Sequence, residues 1–139
     1  MSEDAYPYFS GTTKAKGACQ YDANNTTGVT VTSQTQVTPS NVDQMKAALN
    51  QQPLAVAIEA DKLSFQLYSS GIFDNENCGT TLDHAVLAVG YGSENGQEYW
   101  IVKNSWNTTW GDNGYIRFAI VAGDGICGVQ MEPEFPTTN

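Results

Sequence analysis

The sequence predicts a mainly β domain, an antiparallel β-barrel or curled sheet with one main helix on its N-terminal side and short helical turns. Three observations predict it. Short apolar runs at 84–91 (HAVLAVGY), 97–104 (QEYWIVKN) and 114–120 (GYIRFAI) follow one another across Gly- and Asn-rich turns at hairpin spacing. A β-branched alternating run, VTVTSQTQV, fills 29–37. Only one long stretch, between Ser40 and Pro53, carries helical spacing.

In chain order, residues 1–28 are rich in Gly, Thr, Ala and Lys and show no apolar period, so they read as a long ordered loop pinned by Tyr6, Tyr8 and Phe9, with a turn over 23–28. The strand at 29–37 follows. Ser40, three residues before Asp43, is placed to open a helix near a capping box. Val42, Met45, Ala48 and Leu49 repeat at helical spacing, and Pro53 ends the element. A buried strand is expected at 54–59. Residues 61–68 allow one helical turn, stopped by Ser69-Ser70-Gly71. The three β runs complete the domain.

The chain has 139 residues, which allows one domain of ordinary size. Six basic residues stand against fifteen acidic ones, a net charge of -9. Neither nucleic acid nor an anionic membrane is an expected partner, because phosphate binding needs clustered Lys and Arg. No apolar run approaches the roughly 20 residues that span a bilayer. The N-terminal residues lack the pattern of a signal peptide, and Met1 reads as a start placed on a formerly internal segment, which points to a recombinant origin. No metal-ligand spacing, phosphate loop or dinucleotide fingerprint is present, so no metal and no cofactor is expected. Asn24, Asn25 and Asn107 each begin an N-glycosylation pattern, one that is common by chance.

There are three cysteines, Cys19, Cys78 and Cys127, and an odd count leaves one thiol over. There is one histidine, His84. A lone histidine is most often a satisfied core or surface side chain. This one opens an apolar strand directly after a Cys- and Gly-containing loop, where a side chain can face a cleft. An imidazole titrates near neutral pH and suits general-base work there. A second group lies in Lys103-Asn104-Ser105-Trp106 and Trp110-Gly111-Asp112-Asn113-Gly114. An amide oxygen can fix a ring's orientation and tautomer as a carboxylate does. An indole above that contact lowers the local dielectric and strengthens it.

DHAVLAVGYG, then YWIVKNSWNTTWGDNGYIR, then GICGV, resemble the C-terminal half of papain-like cysteine endopeptidases, the papain and cathepsin L group, over essentially the whole chain. The resemblance implies an α+β family fold, of which this chain is the mainly β, right-hand half. Residues 1–28 would be the connecting segment from a helical domain, and 29–139 the β-barrel domain. It implies His84 as catalytic base and Asn104 as the residue that orients it. Trp106 would shield that contact and border the leaving-group side of the cleft, with Trp110 in the same wall. Ala57, Leu82, Asp83 and Ala85 would line the specificity pocket or its rim. Glu132 would lie at the pocket floor, where an acidic group admits a basic side chain. Equally, Glu132 reads as a solvated surface carboxylate.

The family nucleophile lies about 130–150 residues before the histidine in a C-G-[SA]-C-[WY] signature. Counting back from His84 passes residue 1 first, and Gly17-Ala18-Cys19-Gln20 is not that signature. The expected function is therefore that of an isolated domain carrying base and orienter, lacking nucleophile and oxyanion-hole Gln, and inactive alone. Two alternatives remain: one chain of a two-chain protease, and an engineered non-catalytic folding domain. The resemblance also implies a Cys78–Cys127 disulfide and a free Cys19. The implied partners are the helical Cys-bearing domain and a peptide substrate. A bare domain interface suggests a monomer or weak self-association, with charge opposing aggregation. Family members are secreted or vacuolar/lysosomal.

Overall fold

A computed structural model describes residues 1–139. The helices are α1 (Phe9–Thr13), α2 (Val42–Leu49) and α3 (Leu63–Gln66). The strands are β1 (Val31–Gln36), β2 (Leu54–Ile58), β3 (Ile72–Phe73), β4 (His84–Glu94), β5 (Gln97–Lys103), β6 (Tyr115–Ala119) and β7 (Glu134–Thr138). They form one open seven-stranded sheet in the order β1-β7-β2-β4-β5-β6-β3. The mainly β class is thus what the structure has, as a curled sheet rather than a closed barrel. No helix is long and apolar enough to cross a membrane. Two compact units partition the chain: Met1–Ser33 with Thr137–Asn139, and Gln34–Pro136.

The larger unit holds the central strands. Leu54, Val56 and Ile58 alternate into the core along β2, as a period of two requires. Val86 and Ala88 do so on β4, Trp100 and Val102 on β5, and Ile116 and Phe118 on β6. β4 and β5 join through Asn95-Gly96, both at positive φ (52° and 84°). That backbone suits the two-residue hairpin turn whose twist matches its strands. The register shifts between Ala88 and Gly90, a local irregularity that lets the long β4 bend. Trp100 has no exposed surface, and its indole N–H donates to Gln130 Oε1 at 2.9 Å. The Gln130 amide donates onward to the carbonyls of Val121 and Gly123, so this buried polar pair is satisfied.

Four details differ from expectation. Asn41, not Ser40, caps α2: its Oδ1 accepts from Gln44 N–H at 3.0 Å, while Ser40 turns left-handed (φ 57°) and its hydroxyl donates to Asp124. The alternating run at β1 has no buried face, because the strand lies at the sheet edge. Ile72 and Phe73, assigned to no strand from sequence, form β3, which pairs parallel with β6 (Ile72↔Arg117). Residues 9–13, read as loop, form the short helix α1.

In the smaller unit Cys19 is exposed and free. Hydrogen bonding from the Tyr21 backbone, and then from Tyr6, holds its thiol below the ordinary value.

Candidate active site

His84 is the first residue of β4, paired in register with Ile58 of β2. Asn104 follows directly after β5, and its backbone N–H donates to the Gly114 carbonyl. Adjacent strand ends thus bring the two side chains together. His84 Nε2 lies 2.8 Å from Asn104 Oδ1. The Ser105 N–H, which can only donate, also points at that atom at 2.8 Å, so it is the amide oxygen. Two donors on one oxygen require Nε2 to carry the hydrogen, which leaves Nδ1 of the neutral ring as the basic nitrogen. Asn104 is 7% exposed, and its Nδ2 is buried without a hydrogen-bond partner.

Trp106 stacks on the imidazole, with ring centroids 5.2 Å apart and planes at 30°. It is anchored edge-on by Phe65 at 5.4 Å and Trp110 at 5.5 Å. Trp110 in turn donates from its indole to the Gln66 carbonyl. Phe65 is fully buried beneath this wall. Removing the indole in Trp106→Ala deletes three aromatic contacts worth about 0.5–1.5 kcal/mol each. A loss of about 2 kcal/mol in urea unfolding is expected, with the His84 contact opened to water.

The remaining expected residues lie on β2, around the start of β4 and just before β7. Ala57 and Ala85 face one another in register across β2 and β4. Ala85 also lines a shallow cavity of about 300 Å³ with Leu87, Lys103, Asn104 and Ser105. Leu82 is half-buried beside Gly128, whose bare Cα leaves room for it. Asp83 is exposed, and its Oδ1 accepts from the Ala60 N–H at 2.8 Å. Glu132 is exposed and makes no ion pair. A larger cavity, about 950 Å³, is lined only by residues within 6–20 and contains none of these groups. It is roomier than the His84 surroundings, but it lacks their chemistry.

Cys78 and Cys127 are joined in a disulfide and buried. No group of three His, Cys, Asp or Glu side chains could hold a metal ion.

One residue that the sequence did not single out is Glu59, just past β2 and 4% exposed. Its carboxylate accepts from Lys62 Nζ at 2.7 Å and from the Thr81 N–H at 2.5 Å. The Lys62 ammonium, and then the Thr81 N–H, hold it below the usual carboxylate range. Lys62 and Asp61 are the charged groups beside it. A depressed carboxyl contributes stability that is fully present above its unfolded value, about 4.3, and is lost as pH falls through the folded one. The stability gap between the parent chain and Glu59→Gln should therefore be present at pH 6 and shrink below about pH 4. Urea midpoints across that range check it.

The family model described as papain family cysteine protease matches residues 1–137. Cysteine proteinase RD21A of Arabidopsis thaliana is 46% identical over 136 residues, covering 96% of this chain and 28% of that protein. Digestive cysteine proteinase 3 of Homarus americanus is 42% identical over 137 residues, covering 98% of this chain and 41% of that one. Among solved structures, the bromelain protease from Ananas comosus superposes with a TM-score of 0.84 at 42% identity, over 98% of this chain and 61% of that one. The chain thus spans well under half the length of these two curated relatives. With the family model matched almost end to end, and an open β sheet that superposes on bromelain, this chain belongs to the papain family of cysteine proteases.

Proposed function

We propose that residues 1–139 act as the histidine- and asparagine-bearing domain of a thiol endopeptidase, competent only when a Cys-bearing half supplies the nucleophile. The observation that carries this reading is the His84–Asn104 contact under Trp106, on a chain whose cysteines leave no thiol in that group: two are bonded to each other and the third sits in the 14–22 loop. In the assembled enzyme, His84 Nδ1 takes the thiol proton and Asn104 holds the ring in place. The thiolate sulfur bonds to the scissile carbonyl carbon. The C–N bond then breaks, and the imidazolium proton passes to the departing amine. Water, deprotonated by the imidazole, cleaves the thioester and regenerates the thiol. Trp106 keeps water away from the His84–Asn104 bond.

Ala57, Leu82, Asp83 and Ala85 supply the pocket side of the cleft in this reading, Trp110 backs its far wall, and Glu132 stands as its acidic residue. The disulfide fits an oxidising compartment. The partner is the helical half; without it the expected state is a monomer or a weak self-association through the bare interface, which size exclusion reads.

The test is a fluorogenic Phe-Arg peptidase assay under reducing conditions, run with the chain alone and with a Cys-bearing half added. No hydrolysis alone and thiol-dependent hydrolysis on mixing is the expected outcome. Turnover by the chain alone that disappears in His84→Ala would overturn the claim of inactivity.

A further inference from the structure

Residues 79–83 connect the buried Cys78 to His84 and belong to no helix or strand. What holds them is therefore what sets the entry of His84 into β4. Three hydrogen bonds tie this segment to residues 58–60. The Asp83 N–H donates to the Ile58 carbonyl at 3.0 Å, and the Ala60 N–H donates to Asp83 Oδ1 at 2.8 Å. The third is the Thr81 N–H on the Glu59 carboxylate at 2.5 Å.

Glu59 and Asp83 are the two carboxylates of this set, and the surroundings of Glu59, the buried one, are shaped to admit it. Its own N–H donates to the Cys127 carbonyl at 2.9 Å. Gly79 stands at φ 87°, and a Cβ there would come within 2.3 Å of a Glu59 carboxylate oxygen. Glycine is needed at that position twice over, for the left-handed backbone and for the space the carboxylate occupies. Lys62 supplies the counter-charge from the solvent side, being 43% exposed. A buried carboxylate so enclosed exerts a directed pull on one N–H, since its lone pairs have few other takers.

We infer that Glu59 is a positioning residue for His84, its carboxylate fixing segment 79–83 so that the imidazole meets Asn104. The role it would serve in catalysis rests on the reading of His84 and Asn104 given above. The alternative is a carboxylate that stabilises the fold and leaves His84 where it is.

The chain has a single histidine, so one imidazole spin system reports the site without assignment ambiguity. Nitrogen-15 NMR of the whole chain reads two signals. The first is His84 Nε2–H, protected by Asn104 and displaced by the Trp106 ring current. The second is the Trp100 indole N–H, buried on Gln130, which reports that the core is folded. In Glu59→Ala the first signal should be lost to exchange and the ring-current displacement should collapse, while the second stays. Glu59→Gln keeps the shape and one acceptor oxygen and should show a partial loss. Gly79→Ala, which evicts the carboxylate, should resemble Glu59→Ala.

An unchanged His84 signal in folded Glu59→Ala overturns the inference. If that variant does not fold, Glu59→Gln decides: an altered His84 signal with an intact Trp100 signal supports it, and an unaltered one overturns it. Asn104→Ala separates the two readings. If the parent chain shows no Nε2–H signal that depends on Asn104, the site reading itself fails. If it does and the Glu59 variants leave it alone, only the positioning role fails.

Discussion

His84→Ala is expected to lower kcat/KM of the complemented enzyme by about 10²–10⁴-fold, the usual contribution of a positioned general base. Under the mechanism proposed above, the loss should fall on kcat, because the imidazole would act on the thiol proton and the leaving amine rather than on the bound peptide. Asn104→Ala should cost less, since the ring remains and only its orientation and tautomer are released. The two losses should not add, because Asn104 acts through His84. Steady-state kinetics on the Phe-Arg substrate with a fixed Cys-bearing half measure all three variants. Additive losses in the double variant would mean that Asn104 has a second role.

Removing the Cys78–Cys127 disulfide, as Cys78→Ala with Cys127→Ala, is expected to destabilise the chain by about 4 kcal/mol. The bridge spans a sequence separation of 49, and closing a loop of that size in the unfolded chain accounts for about that much in the chain-entropy model. For a domain of this length a fall in Tm of more than about 10 °C should follow. The double substitution leaves no new thiols to confuse the result. Native alkylation gives a companion check. Exposed Cys19 should take one adduct before reduction, and three adducts should appear only after reduction and unfolding. Three adducts on the native, unreduced chain would contradict the bridge.

The parts of this fold that were legible in the sequence are those whose signal is local. The runs at 84–91, 97–104 and 114–120 became β4, β5 and β6 because side-chain alternation and Asn-Gly turn chemistry act over a few residues. His84 and Asn104 were legible for the same reason, each standing at a strand end beside distinctive neighbours. β7 was not, because Glu134-Phe135-Pro136-Thr137-Thr138 has no strand period of its own and pairs through its neighbours. β3 was not legible either, because two residues carry no period and only β6 makes them a strand. Glu59 escaped notice because it reads as the polar end of an apolar run. Its decisive partner, Thr81, is 22 residues away. The cap at Asn41 was not legible because Ser40 is left-handed and bonds Asp124, far along the chain, instead of capping the helix.

The strand order has a consequence in time. β4, β5 and β6 are sequence neighbours and can zip together locally, but β2 has β4 on one side and β7 on the other. Gln34 bonds Glu134 across 100 residues of chain. The entropy of closing that span must be met before the seam returns any contact energy. Refolding should therefore run on the millisecond-to-second scale of non-local β topologies. The 84–119 hairpins should be protected early and the β2–β7 seam late. During synthesis the β2 edge would stay open until β7 emerged, the interval in which a nascent β domain is most exposed to aggregation.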